Sequence, residues 1–99
     1  MRENEVENYL KKNIERVGGL CLKFVSPGKS GVPDRLCLMP NGKSFFVEVK
    51  SPGKKLRPLQ LKCKKDFEQL HHPVKVVDTK DGVDLLIALW VTGGRMDGH

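Results

Sequence analysis

The chain has 99 residues, 38% hydrophobic and 30% charged, with a formal net charge of +6. That length allows one small core and leaves no room for a second domain, and the composition excludes a disordered chain. Cys21, Cys37 and Cys63 are odd in number, widely spaced and without a CxxC pair, which argues against a disulfide framework or a zinc site.

Residues 3–17 read as an amphipathic helix, with Val6, Tyr9, Leu10, Ile14 and Val17 at helical spacing. Gly18-Gly19 is its stop signal. Glu3 projects from the edge of the apolar stripe, whereas Glu15 faces away. Residues 20–25 read as a strand, and 26–31 (Ser-Pro-Gly-Lys-Ser-Gly) as a loop. This loop carries Lys29 and suits either a mobile DNA-contacting segment or a plain connector; it lacks the spacing of a P-loop. Residues 34–39 and 44–49 read as two strands joined by Pro40-Asn41-Gly42-Lys43, where Asn-Gly is a hairpin signal. In the second of them Phe45, Val47 and Val49 alternate with Phe46 and Glu48.

A polar loop over 51–56 precedes a second helix that starts near Pro58 and ends near Leu70, with Leu59, Cys63, Phe67 and Leu70 on one face. His71-His72-Pro73 ends it; adjacent histidines do not share a helix face, so a metal pair is not expected there. Residues 74–77 read as a strand. Residues 79–85 suit a turn into a short helical segment, or a tight turn at Asp81-Gly82. Residues 87–91 suit a last strand or a helix end, with Trp90 in the core or, as the second reading, at a subunit interface. The expected domain is 1–92, followed by a frayed tail over 93–99. The element order predicts an α/β fold with a mixed sheet.

Charge is unevenly spread. Residues 49–65 contain no carboxylate but carry Lys50, Lys54, Lys55, Arg57, Lys62, Lys64 and Lys65. Such a run suits nucleic acid or an anionic membrane, and equally a merely solvated face. No secretory apolar segment opens the chain, and the longest apolar run, 85–91, is too short to cross a bilayer. The expected setting is intracellular and cytoplasmic.

Three positions point to chemistry. Glu48 and Lys50 lie two apart at the end of an apolar strand, so both face the same side. A salt-bridged strand end would also explain them. Asp34 follows Gly31-Val32-Pro33, whose glycine and proline restrict its backbone; a turn or cap aspartate is the plain alternative. The hairpin places Asp34 beside Glu48 and Lys50. Two carboxylates at close range repel, and a divalent cation relieves the repulsion. Oxygen ligands without histidine favour Mg²⁺ or Mn²⁺ over zinc. A nearby ammonium orients an attacking water and stabilises charge on a phosphate.

Asp34 with Glu48-Val49-Lys50 resembles the D…ExK signature of the PD-(D/E)xK nuclease superfamily, and Pro33-Asp34 supplies its proline-aspartate pair. With Gly31-Val32-Pro33-Asp34 and Gln60, the chain is similar to the virus-type replication-repair nuclease domain, VRR-NUC, over residues 3–90. The resemblance implies a restriction-endonuclease-like fold, with a mixed central sheet flanked by helices. It also implies a Mg²⁺- or Mn²⁺-dependent deoxyribonuclease. By that resemblance Asp34, Glu48 and the Val49 carbonyl bind metal, and Glu3 completes the metal site, often through water. Lys50 positions or activates the water, Gln60 lies near the centre, and Lys23 approaches the scissile phosphate. The resemblance assigns no role to Arg35. Lys29, Lys54, Lys55, Arg57, Lys62, Lys64 and Lys65 are the further candidate DNA contacts. The small stand-alone form implies a homodimer cutting branched DNA, four-way junctions foremost. A flap- or single-strand-directed repair nuclease is the nearest alternative; a non-catalytic nucleic-acid-binding module is the other.

Overall fold

Helix α1 (Glu3–Arg16) buries Val6, Leu10 and Ile14, one per turn, and leaves Val17 as an exposed cap. Glu5 reaches back to accept the Arg2 N–H at 2.8 Å, satisfying an amide that the first turn would otherwise orphan. The chain then leaves the helix through Gly18, whose φ of 91° suits a residue without Cβ. The structure, a computed structural model, describes the backbone of residues 1–96 and the side chains of residues 1–91.

Strands β1 (Leu20–Lys23), β2 (Arg35–Leu38) and β3 (Ser44–Val49) form an antiparallel meander. Helix α2 (Pro58–Gln69) then crosses over to β4 (Val74–Val77), which lies parallel to β3, as a helical crossover permits. The sheet order is β1-β2-β3-β4. Helix α3 (Lys80–Met96) closes the fold beside α1. The inner face of the sheet presents Cys21, Cys37, Phe45, Val47, Val49 and Val77 to α1 and to Val83, Leu86 and Ile87 of α3. Trp90 stacks on Phe45 with ring centroids 4.4 Å apart, so it belongs to the core as expected. The outer face is covered unevenly. Phe24, Phe46 and Phe67 of α2 form an aromatic cluster on it, while Leu20, Leu22 and Leu38 stay exposed.

The mixed α/β sheet agrees with the expectation from sequence, and β3 and β4 have the expected limits. Other elements differ. Residues 80–91, expected to split between a turn and a short element, form one helix, which also runs through the first four residues of the expected tail; residues 97–99 lie outside the described residues. The face of α2 is rotated from the expected one. Leu59 and Leu70 are 59% and 70% exposed, and Gln60 and Cys63 turn inward instead. Among the described residues, no helix is long and apolar enough to cross a membrane.

Candidate active site

The β2–β3 register sets the centre. Arg35 pairs with Val47, so Asp34, just before β2, falls beside Glu48. The Asp34 carbonyl accepts the Phe24 N–H at 2.9 Å, prolonging the ladder with the chain after β1. Its carboxylate Oδ2 accepts the Val49 N–H at 2.8 Å, which ties the side chain to the end of β3. The preceding Pro33 is fully buried. Gly31 has φ 80°, and a Cβ there would lie 2.4 Å from the Leu59 carbonyl oxygen. The loop thus packs directly against the start of α2, and only glycine fits at that point. Lys29 fastens the same loop to α2 through Asp66 at 2.9 Å.

Glu48 is 4% exposed. Its Oε2 accepts a hydrogen bond from Gln60 Nε2 at 2.9 Å. Burial pushes its pKa up to about 8, and the Asp34 charge adds to the effect; the Lys50 ammonium opposes it, and Glu3 adds a smaller push. The Asp34 side chain also raises this pKa as a hydrogen-bonding neighbour of Glu48. Gln60, 9% exposed, is held at both ends of its amide: Oε1 accepts the Arg57 N–H at 2.8 Å while Nε2 faces Glu48. Lys50 continues β3 with its N–H donating to the Val77 carbonyl at 2.9 Å. Its side chain is half-buried and shares the outer face with Glu48.

Asp34, Glu48, Lys50 and Gln60 therefore come together. Glu3, at the exposed start of α1, acts on Glu48 only through its charge. Among the described residues no three acids, histidines or cysteines converge into a complete metal cage. The donors present are oxygen: two converging carboxylates, with the backbone carbonyl of Val49 at the same strand end. That set fits a hard divalent cation that keeps part of its water. An open cleft of about 520 Å³, lined by Ser30, Gly31, Arg57, Pro58, Leu59 and Gln60, borders the centre.

The basic candidates divide into two groups. Lys54, Lys55, Arg57 and Lys65 are exposed. Lys23 lies 3.6 Å from Glu7, Lys62 pairs with Asp66 at 3.4 Å, and Lys64 pairs with Glu68 at 2.7 Å, as Lys29 does with Asp66. Two structural features escaped the sequence reading. Asp78 accepts the Gly53 N–H at 3.0 Å and so anchors the turn after Lys50. Arg35 is buried at 7% exposure and bonds Glu7. The only sequence signal for the second was Glu7 standing one helical turn beyond Glu3.

Comparison with known proteins gives a family for the fold. The family model for the VRR-NUC domain matches residues 2–81. The chain is 45% identical over 89 residues to a protein provisionally named nuclease p44, from Acyrthosiphon pisum secondary endosymbiont phage 1; the match covers 90% of this chain and 96% of that one. It is also similar to a solved VRR-NUC domain structure, with a TM-score of 0.82 and 39% identity over 87% of this chain and 94% of the other.

Proposed function

Because this chain belongs to the VRR-NUC domain family and is a nuclease, we propose that it hydrolyses DNA phosphodiesters with Mg²⁺ or Mn²⁺ held by Asp34 and Glu48. The observation that carries the reading is the convergence of these two carboxyls at the end of β3, Asp34 tied to the Val49 N–H and Glu48 buried against Gln60; burial first, and then the Asp34 charge, push the Glu48 pKa up to about 8. Such a pair is relieved when a divalent cation replaces the proton. Each carboxylate has one oxygen tied to the protein, by the Val49 N–H or by Gln60, which leaves the other for a metal. The Val49 carbonyl and, through water, Glu3 complete the set. When bound, the metal supplies Lewis-acid stabilisation of the phosphate and an acidified water.

The protein residues do the rest. Lys50, on the face of Glu48, orients the attacking water and balances charge on the phosphate. Gln60 keeps Glu48 aimed at the centre. Lys23, Lys29, Lys54, Lys55, Arg57, Lys62, Lys64 and Lys65 are the candidate contacts to the DNA backbone, which position the strand without reading base edges. We further propose that the working unit is a homodimer acting inside the cell on four-way junctions. The exposed leucines of the outer sheet face favour a partner, and two centres at fixed separation suit paired cuts.

The test is a cleavage panel of single-stranded, duplex, flap and four-way DNA with Mg²⁺, Mn²⁺ or chelator. Cleavage in either metal, none in chelator, and paired nicks fastest on the junction are expected. Asp34→Ala and Glu48→Ala should abolish cleavage and weaken Mn²⁺ binding in calorimetry while DNA binding persists. Lys50→Ala should slow single-turnover cleavage by roughly 10²-fold. Unchanged Mn²⁺ affinity in both carboxylate variants would remove the proposed metal site. Preference for flaps or single strands would replace the junction as substrate.

A further inference from the structure

Among the described residues, Arg35 is the one buried charge on the inner face of the sheet. Its neighbours across the ladder are Lys23 and Val47, and it lies beneath α1 at 7% exposure. A guanidinium in that position is costly unless fully paired. Arg35 is paired in two directions. Nε donates to Glu7 Oε2 of α1 at 2.8 Å, and Nη1 donates to the Cys21 carbonyl of β1 at 3.1 Å. One bond fixes the guanidinium to the sheet backbone; the other carries that position to the helix. A buried ion pair is seldom the most stable choice for such a site, since apolar side chains of similar volume often serve as well or better. Its distinctive effect is to fix geometry.

The rest of the contact between α1 and the sheet cannot do that as sharply; the 2.7 Å bond from the Tyr9 hydroxyl to Asp84 ties α1 to α3 instead. Val6, Leu10 and Ile14 bind the helix to the sheet through apolar burial, which is non-directional. Lys23 also approaches Glu7, at 3.6 Å, but its side chain is 71% exposed, so its pull is weakened by solvent. The tie matters because of what adjoins each end. Arg35 follows Asp34 directly in the chain. Glu7 follows Glu3 by four residues, which puts both acids on one face of α1, about 6 Å apart along its axis.

We infer that Arg35 is a positioning residue for the active centre: through Glu7 it sets the place of α1 along the sheet and so delivers the Glu3 carboxylate to Asp34 and Glu48. The inference rests on the metal-site reading above. Arg35 touches neither metal nor substrate.

The experiment measures Mn²⁺ binding by calorimetry, without DNA, on the full chain. The variants are Glu3→Gln, the double variant Arg35→Met/Glu7→Leu, and the combination of all three, with melting curves recorded for each. The double variant should fold and bind Mn²⁺ roughly 10-fold more weakly, as expected for loss of an outer positioning contact. Glu3→Gln should weaken binding in the wild type but add little in the double variant. Arg35→Lys keeps the charge and loses the two-direction fork; it should show the same weakening, and it decides the matter if the double variant does not fold. Unchanged affinity in a folded variant, or a full additive effect of Glu3→Gln, would overturn the role of Arg35 alone. A wild-type chain that binds no Mn²⁺ would overturn the metal site and this inference together.

Discussion

Gln60 has to satisfy two partners with one amide. Its oxygen takes the Arg57 N–H at the start of α2, so its nitrogen must face Glu48. Two substitutions separate these duties. Gln60→Leu loses both, including a helix-start bond worth about 1 kcal/mol. Gln60→Glu can still accept the Arg57 N–H, and near pH 6 it can accept a hydrogen bond from the protonated Glu48 carboxyl as well. Both variants should slow single-turnover cleavage by roughly 10- to 100-fold, as for loss of a partner behind a metal ligand. Only Gln60→Leu should lower the melting temperature at pH 6. Wild-type cleavage by either variant would release Gln60 from the centre. Glu48 itself makes stability depend on pH. Its ordinary value of 4.5 is raised to about 8 in the fold, chiefly by burial and then by Asp34. Below about pH 4.5 the folded and unfolded chains both hold the proton, and the stabilising contribution is fully present. Between there and about 8 the unfolded chain releases a proton that the folded one keeps, so stability falls as pH rises. Chelator-treated protein should therefore melt lower at pH 8.5 than at pH 5.5, and Glu48→Gln or added Mg²⁺ should flatten the trend. An identical slope in wild type and Glu48→Gln would refute the raised carboxyl. The juxtaposition of Asp34, Glu48 and Lys50 was legible because strand alternation and one hairpin suffice to bring them together. Arg35 was not, since its partner Glu7 lies 28 residues away on another element and no local pattern marks the pair.

Elements decide which lysines remain available to DNA. On α2, Lys62 and Lys64 are each paired with an acid one turn on. In the loop before α2, Lys54, Lys55 and Arg57 are exposed with no ion pair among the described residues. A phosphate contact lowers the slope of log K against log salt by roughly 0.9, and a lysine already neutralised locally has less to give. The triple variant Lys54→Ala/Lys55→Ala/Arg57→Ala should thus flatten the salt dependence more per residue than Lys62→Ala/Lys64→Ala. Binding constants across a salt series check this; equal change per residue would place the DNA along α2 as much as on the loop. The same helix shows why its inner face was misread. Leu59 and Leu70 look like core by spacing, yet α2 sits over the Glu48 side of the sheet, where the polar Gln60 is the group required inside. In α3, Val83, Leu86, Ile87 and Trp90 follow helical spacing, but Leu85, Leu89 and Val91 fill the gaps between them. The apolar run 85–91 therefore hid its period. By contrast β3 and β4 are short and bounded by turns, and their limits could be read directly.

Among the described residues, the outer sheet face leaves an apolar surface without cover. Leu20 faces Leu38 across the β1–β2 ladder, and Leu22 faces Leu36. Leu20, Leu22 and Leu38 are 53%, 43% and 37% exposed, and β1 is an edge strand. Cross-strand pairing makes these side chains contiguous, unlike Leu85 and Leu89 on α3, which are exposed on a single helix. The outer sheet face is thus a better seat for a second copy than the 85–91 segment, whose Trp90 is used in the core. A stable pair needs about 800 Å² from each partner, so the leucines would form the centre of a larger contact. Two-fold pairing would then hold two centres at a fixed distance, each cutting one strand of a junction that is itself nearly two-fold symmetric. Light scattering should report twice the 11.1 kDa chain mass at micromolar concentration. Leu22→Lys places a charge in the contact but on a side chain already partly in water, so the fold should persist. The variant should run as a monomer, keep its Mn²⁺ affinity and nick junctions on single strands without pairing the cuts. A wild-type monomer that makes paired junction cuts would separate catalysis from symmetry. A dimeric Leu22→Lys would move the contact to another face, with Leu89→Lys on α3 the next variant to measure.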